Sequence, residues 1–247
     1  MKYLMKFDFI GLFAVALLLF VSAYPIMAET LKKTDSIAKG EADVVATAVM
    51  EKSEQEKILS RIRQKYSLRE AYAGNFTQKT TYTDSNETTL STGRIWIQGP
   101  DKMRWEYQLP EKQLLVSDGQ TLWYYTPDLN QVMVGKIKDI KEARVIVNLL
   151  AKLKSEPKNL QLDLSRSGNL VTVVLLPLSA EKAPAFQNLK IIFAADTLML
   201  QETQMEDLFA NKIIITYKLK SGPDPVLPTA HFSFIPPAGC DVMPLGQ

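Results

Sequence analysis

The side chains that most often perform chemistry in proteins are scarce in this sequence. Among 247 residues there is one histidine, His231, and one cysteine, Cys240. A single cysteine rules out an intrachain disulfide and a cysteine-built metal cluster, and one imidazole is too little for a histidine-rich metal site. The sequence predicts His231 at the start of the last strand, as a surface or edge residue, and Cys240 in a partly buried C-terminal turn.

The carboxylates do not form a recognisable catalytic set either. Glu106, Asp118 and Asp128 fall on predicted strands or turns, and their spacing does not suggest an acid–base pair. Asp118 and Gly119 together are typical of a turn. The sequence contains no GxSxG, HExxH, P-loop or GxGxxG motif. We therefore predict a protein that is not an enzyme and that uses no metal and no cofactor.

Composition and charge indicate a folded protein with no nucleic-acid partner. The chain is 46% hydrophobic and 23% charged, which is ordinary for a globular domain. Its 29 basic and 27 acidic residues leave a net charge of +2. A basic face that binds nucleic acid is not expected from that balance.

The N-terminus has the three parts of a secretory signal peptide. Lys2 and Lys6 precede an apolar run over residues 9–21. Two possible cleavage sites with small residues follow, and the second ends at Ala28. The run of about 13 residues is shorter than the ~20 that a membrane-spanning helix needs. We predict cleavage after Ala28, so that residues 1–28 are a signal peptide and the protein is exported to the periplasm. An uncleaved anchor is the alternative.

Two helices are predicted in the remaining chain. Residues 29–52 are rich in Ala, Lys and Glu without an apolar stripe, and we expect a mobile extension. Ser53 and Glu56 then form a capping box at the start of a helix over residues 54–66. A second amphipathic helix is expected over residues 139–153.

The rest of the sequence alternates between apolar and polar residues, as strands do. Met103, Trp105 and Tyr107 share one face of such a run, and Arg104 and Glu106 share the other. We count ten to twelve strands joined by short turns, which predicts an antiparallel sheet.

One domain over residues 53–247 is the simplest interpretation, with a last strand over residues 232–235. A single sheet of this size must curl to bury its apolar face. The curled sheet could be filled by its own side chains, or it could enclose a cavity, and composition alone favours a filled core.

The resemblance to a known family lies in several ordered segments. They are NFTQK at 75–79, GRIWI at 93–97, PDKMRWEY at 100–107, LVSDGQTLWYY at 115–125, QV at 131–132 and FSFIPPAG at 232–239. Together they resemble the LolA family, the periplasmic carriers of outer-membrane lipoproteins. The resemblance implies a mainly β fold with a helical lid (α+β), in which an open, incomplete antiparallel β-barrel encloses an apolar cavity.

The resemblance also implies partners. A LolA-like monomer would receive acylated lipoproteins as cargo from an inner-membrane lipoprotein-releasing ABC transporter and pass them to an outer-membrane lipoprotein receptor. Burial stabilises an acyl chain by about 0.8 kcal/mol per CH₂ group, so acylated cargo needs a carrier to cross water. A lid that the cargo displaces would offset part of that binding energy and allow release.

Matching positions identify candidate cavity residues, although ordinary core packing is the alternative for each. Met103 matches a family position that carries a bulky apolar residue near the cavity mouth, and Trp105 and Tyr107 share its strand face. Trp96, Leu115 and Trp123 match apolar family positions on neighbouring strands. The resemblance thus implies that these six residues line the acyl-chain cavity. The lid helix corresponds to residues 139–153, and its expected contacts are Ile146, Leu149 and Leu150.

One departure from the family pattern affects the lid. Some members carry a functional arginine where this chain has Gly99, so lid closure through that arginine is not implied here. Arg94 or Arg104 could substitute, but solvent-facing strand positions are the simpler interpretation. A lipid-binding sensor or regulator on the same fold, a carrier of another lipid, and a cavity hydrolase are the competing functions.

Overall fold

The fold is dominated by one large β-sheet. The computed structural model describes residues 48–67, 71–99, 102–137, 160–179, 186–221 and 227–245. Its first seven strands are β1 (Ala48–Val49), β2 (Ala71–Thr81), β3 (Thr88–Gln98), β4 (Lys102–Leu109), β5 (Gln113–Asp118), β6 (Thr121–Thr126) and β7 (Gln131–Lys136). The others are β8 (Leu160–Ser167), β9 (Leu170–Pro177), β10 (Phe186–Ala194), β11 (Leu200–Asp207), β12 (Lys212–Ser221) and β13 (Asp241–Pro244).

These thirteen strands form one open sheet with the order β1-β8-β9-β10-β11-β12-β2-β3-β4-β5-β6-β7-β13. Two antiparallel meanders, β2–β7 and β8–β12, are joined where β12 pairs with β2 along ten residues. The terminal strands β1 and β13 do not pair with each other, so the described sheet does not close. The predicted antiparallel, incompletely closed sheet is confirmed, with one parallel exception where β13 pairs with β7.

One α-helix, α1 (Lys52–Ser67), confirms the helix predicted over residues 54–66. The predicted N-cap is wrong, because Ser53 lies inside the helix and the Glu54 N–H donates to the Glu51 carbonyl at 2.9 Å. Gln55 Nε2 donates to the Met50 carbonyl at 2.9 Å and ties the helix start to the preceding chain.

The main core lies on one side of the sheet, which we call the inner face, and α1 packs onto it. The helix contributes buried apolar side chains one turn apart, as the 3.6-residue period requires. These are Ile58, Leu59, Ile62 and Tyr66. Most of the core itself comes from alternate residues of β2–β12.

Tyr66 fastens the end of α1 to the turn between β10 and β11. Its hydroxyl donates to the Leu198 carbonyl at 3.0 Å and accepts from the Leu200 N–H at 2.9 Å. Its ring lies 5.3 Å from that of Tyr72 and 6.0 Å from that of Phe193. Burial raises the pKa of Tyr66 to about 12, so the hydroxyl remains protonated.

We expect Tyr66→Phe to lower the free energy of unfolding by about 1.5 kcal/mol, since two buried backbone groups lose their partner. Chemical denaturation monitored by circular dichroism measures the change. Tyr125→Phe removes a hydroxyl from a half-buried ring elsewhere and is the matched control. Equal stability of the two variants would contradict the fastening role.

The C-terminal strap, residues 227–240, crosses the opposite, outer face of the sheet. It begins with a 3₁₀ turn, Thr229–Phe232, that contacts β4 and β5. The strand predicted over residues 232–235 is wrong, because this stretch has no ladder partner and anchors by side chains instead. Phe232 is fully buried, and the rings of Phe234 and Tyr125 lie 5.3 Å apart.

Several predictions lie outside the described residues. They are the signal peptide over 1–28, most of the extension over 29–52 and the second helix over 139–153. In the part of the chain that the structure describes, no helix combines the length and the apolar character needed to span a membrane.

Candidate functional site

The candidate site is the inner face of β2–β7, where directly paired residues point to the same side of the sheet. One row of pairs runs across five strands through Ile95, Trp105, Leu115, Tyr124 and Met133. The first four of these are buried in the main core, and Met133 packs against it. Residues that point to the same side of these five strands thus form a continuous apolar row.

An aromatic cluster forms where the sheet carries glycine instead of a side chain. Phe76, the partner of Gly93, lies over the glycine, and its ring is 5.0 Å from that of Trp105 and 4.9 Å from that of Tyr107. Tyr217 completes the cluster, 6.1 Å from Trp105. The edge-to-face arrangement of these rings is favourable for aromatic pairs.

Buried amides and hydroxyls border this cluster on one side. Tyr107 Oη donates to Gln78 Oε1 at 2.9 Å, and Gln78 Nε2 donates to Thr80 Oγ1 at 3.2 Å. On the neighbouring strand Tyr124 Oη donates to Gln113 Oε1 at 2.9 Å. Both tyrosine hydroxyls therefore have an acceptor, as buried hydroxyls generally do.

The buried tyrosine hydroxyls on this surface are uncharged at physiological pH. Burial raises the pKa of Tyr107 well above its ordinary value, with Tyr124 and Tyr217 adding to the effect. Burial also raises the pKa of Tyr124 and Tyr217. Asp207, the one carboxylate that is fully buried in the described ranges, accepts hydrogen bonds from the backbone of its own turn. The site therefore suits an uncharged, largely apolar ligand.

Four of the six predicted cavity residues share this inner face. Trp105, Tyr107 and Leu115 are buried in the core cluster, and Met103 is half-buried and packs against it. Whether they line a ligand cavity stays a prediction. The three predicted lid contacts Ile146, Leu149 and Leu150 lie outside the described residues.

The other two predicted cavity residues, Trp96 and Trp123, lie on the outer face. Trp96 pairs with Arg104, Arg104 with Val116, and Val116 with Trp123, a row shifted by one residue from the inner one. A shift of one residue reverses the face, so these tryptophans point away from Trp105. The Trp96 ring is covered by the strap, 4.9 Å from the ring of His231. We therefore leave both out of the candidate site.

We expect the stability of the folded chain to depend on the protonation of His231, which lies in the strap. Burial lowers the pKa of this imidazole below its ordinary 6.5, the nearby Arg104 and Arg94 lower it further, and Glu106 opposes them. With a lower pKa in the folded state, the unfolded chain binds the proton first as the pH falls. The stabilising contribution is complete above the unfolded pKa and is lost as the pH falls through 6.5 towards the folded value.

We expect His231→Gln to flatten this pH dependence. Urea denaturation of both proteins between about pH 7.5 and pH 5 should show the parent protein losing more stability than the variant, since the glutamine does not titrate. Other acidic and basic groups titrate in both proteins and cancel in the difference. Parallel curves would show that His231 does not set the dependence.

The two arginines considered as substitutes for the family arginine also belong to the outer face. Arg94 is exposed and lies over the ring of Trp96, 4.7 Å from its centroid. Arg104 Nε pairs with Glu106 Oε1 at 2.6 Å. Gly99 itself has φ of +65°, a conformation that favours glycine over any L-residue. These positions do not supply a cation to the inner face.

Sequence reasoning missed four members of the site, which are Phe76, Gln78, Gln113 and Tyr217. The spacing along the strands could have identified the two glutamines, because residues two positions apart share a face. Gln113 stands two residues before Leu115, and Gln78 stands two residues after Phe76. A glutamine at an inward position is unusual, so such residues are easily assigned to solvent.

Comparison with known proteins gives one consistent family. A family model described as outer membrane lipoprotein carrier protein LolA matches residues 67–234. The outer-membrane lipoprotein carrier protein of Methylibium petroleiphilum is 36% identical over 169 residues, covering 68% of this chain and 80% of that protein. The protein of the same name from Chromobacterium violaceum is 32% identical over 164 residues, covering 66% and 77%.

Among solved structures, an uncharacterized conserved protein from Thermus thermophilus is similar with a TM-score of 0.47 and 12% sequence identity. The match covers 77% of this chain and 99% of that one.

Proposed function

The chain belongs to the LolA family of outer membrane lipoprotein carrier proteins, and on that premise we propose that it carries lipoproteins through the periplasm. The acyl chains of the cargo bind on the inner face of the sheet. An inner-membrane lipoprotein-releasing ABC transporter delivers the acylated lipoprotein, and an outer-membrane lipoprotein receptor accepts it. The carrier works as a monomer, by binding and release, without catalysis.

The observation that carries this proposal is the aromatic and apolar inner face of β2–β7. Hydrocarbon gains about 0.8 kcal/mol per CH₂ group on leaving water, so a surface of this kind attracts acyl chains strongly. Met103, Trp105, Tyr107 and Leu115 are the residues we assign to the acyl-chain path. Broad aromatic rings and a flexible methionine adapt to chains that differ in length and shape.

Release requires that the bound cargo not be held with the full energy of burial. We assign this role to a lid helix that covers the inner face and that the cargo displaces. Residues 139–153, with Ile146, Leu149 and Leu150, are the proposed lid, and α1 forms the fixed border through Tyr66. Displacing packed apolar side chains costs energy that offsets part of the acyl-chain gain.

Export precedes this activity. We propose that residues 1–28 are a signal peptide removed after Ala28, that residues 29–52 are a mobile extension, and that residues 53–247 are the carrier domain. N-terminal sequencing of the protein from a periplasmic extract tests this, since cleavage leaves Glu29 as the first residue.

A hydrolase acting on lipid in the cavity finds little support. The single histidine lies in the strap on the outer face, while the polar groups buried on the described inner face are amides and hydroxyls. A nucleophile there would have no base beside it to activate it.

Native mass spectrometry of the protein, gently purified from a periplasmic extract, tests the carrier function. We expect a complex of one carrier with one acylated lipoprotein, whose identity appears after denaturation. Free phospholipid or fatty acid alone would point to a sensor or to a carrier of another lipid. A ligand-free protein that also fails to bind a fluorescent apolar probe would contradict the proposal.

A further inference from the structure

We propose that the inner face also contains a carbonyl-binding subsite, in which Trp105 Nε1 and Gln113 Nε2 donate hydrogen bonds to ester or amide oxygens of the acylated ligand. This inference rests on the proposed carrier function and names the part of the ligand that the polar groups recognise.

Both donors are buried and have no partner. Trp105 is 6% exposed and Gln113 is 2% exposed, and neither nitrogen has a hydrogen-bond partner in the structure. The adjoining buried groups are satisfied, since Tyr107 donates to Gln78 and Tyr124 donates to Gln113 Oε1. A buried N–H without an acceptor is unfavourable, so two such groups in one cluster indicate that something else supplies the acceptors.

The two donors lie on the same face of neighbouring strands. Trp105 pairs with Leu115, and Gln113 pairs with Tyr107, which makes Trp105 and Gln113 diagonal neighbours. Diagonal positions in an antiparallel pair are about 7–8 Å apart at the backbone, within joint reach of one ligand through long side chains. A head group with more than one carbonyl oxygen, such as a diacylglyceryl group, fits this spacing.

The surroundings select a neutral acceptor. Indole and carboxamide nitrogens are donors only, so the ligand must accept. The tyrosine hydroxyls around them stay protonated because burial raises their pKa. The residues paired with Trp105 and Gln113 are Ile95, Leu115 and Tyr107, none of which is a cation that could balance a carboxylate or a phosphate. An ester or amide carbonyl meets both requirements, since it accepts hydrogen bonds and carries no charge.

The position of the subsite also gives the ligand a direction. The buried amides of Gln78 and Gln113 lie at one end of the inner face. Met103 and Ile97 lie at the other end, where the small Ser117 is the residue paired with Met103. Tyr107 lies four positions along the strand from Met103, a distance of roughly 13 Å. The carbonyl end of the ligand therefore lies beside Gln113, and the hydrocarbon runs towards Met103.

Competition between two matched lipids tests the subsite. The full secreted protein is loaded with a fluorescent apolar probe, which is displaced by a diacyl ester lipid or by the dialkyl ether lipid of equal chain length and head group. The ether lacks the carbonyl oxygens but keeps the hydrocarbon. We expect the ester to bind about tenfold more tightly, because only the ester satisfies the two buried donors.

Two variants assign the preference to these residues. Gln113→Met and Trp105→Phe each remove a donor and should reduce the ester preference towards unity while ether binding changes little. Gln108→Met makes the same substitution at an exposed position on the opposite face of β4 and should keep the preference. An ester preference that survives both donor substitutions would overturn the assignment.

The outcomes separate this inference from the function on which it rests. Equal binding of ester and ether by the parent protein would overturn the carbonyl subsite and leave the carrier function intact. Failure of both lipids to displace the probe would count against the carrier function itself.

Discussion

Met103→Glu is expected to weaken acyl-chain loading by at least roughly 100-fold, because the hydrocarbon would then have to pack against an ionised carboxylate. Met103 is half-buried at the apolar end of the inner face, so the new carboxylate can remain hydrated in the empty protein. Folding should therefore be retained. Titration with a fluorescent diacylated peptide measures loading, and circular dichroism measures folding.

The matched control places the same charge on the other face of the same strand. Gln108→Glu is exposed on the outer face of β4 and should load normally. If Met103→Glu loads as well as the parent protein, Met103 does not lie on the path of the acyl chains. If Gln108→Glu loses loading as severely, the effect is one of net charge and not of position.

Gly93→Ala should lower the free energy of unfolding by about 3 kcal/mol, the range of an overpacked core. A methyl group at this position would lie 2.7 Å from two ring atoms of Phe76 and would overlap the Glu106 carbonyl oxygen. Phe76 cannot move aside freely, because its ring also packs edge-on against Trp105 and Tyr107. Equilibrium unfolding in urea measures the loss.

Ser91→Ala is the control for this prediction, since Ser91 lies on the same strand and face and already carries a Cβ atom. We expect it to cost less than about 1 kcal/mol. A Gly93→Ala protein as stable as this control would mean that the aromatic cluster tolerates repacking. The rings of the proposed ligand surface would then not be fixed in the single arrangement that the structure shows.

The elements of the fold were predictable because they depend on neighbours along the chain. The period of two in β4 identified it as a strand, and the apolar spacing of α1 identified a helix. The Asp118–Gly119 turn is confirmed, with Asp118 Oδ1 accepting from the Gln120 N–H at 2.8 Å and the Thr121 N–H at 2.7 Å. Short turns of this kind can join only antiparallel neighbours, so they also predicted the antiparallel sheet.

The side of the sheet on which each residue lies was harder to predict than the strands themselves, and Trp96 shows why. In the run Arg94-Ile95-Trp96-Ile97 the two central residues are both apolar, so alternation does not decide which of them points inward. Both are buried in the structure, Ile95 by the main core and Trp96 under the strap. A strand covered on both sides loses the pattern from which its orientation is inferred.

The polar part of the site depends on contacts between distant residues. Gln78 meets Tyr107, which stands 29 residues later, and the strap residue His231 meets Arg104 across 127 residues. The spacing from Phe76 places Gln78 on the inner face, but nothing near Gln78 in the chain identifies Tyr107 as its partner. The two unpartnered donors in the same cluster are visible only once the strands are aligned.

The sequence by itself determined the strands, the first helix, the antiparallel connections and the scarcity of catalytic side chains, and its motifs identified the family. Those features follow from local backbone preference and from residue types. Only the tertiary structure decided that β12 pairs with β2, that β13 runs parallel to β7, and which tryptophans face the main core. The physical reason is that a residue's face is defined by what covers it, and here the covering segments are far away in the chain.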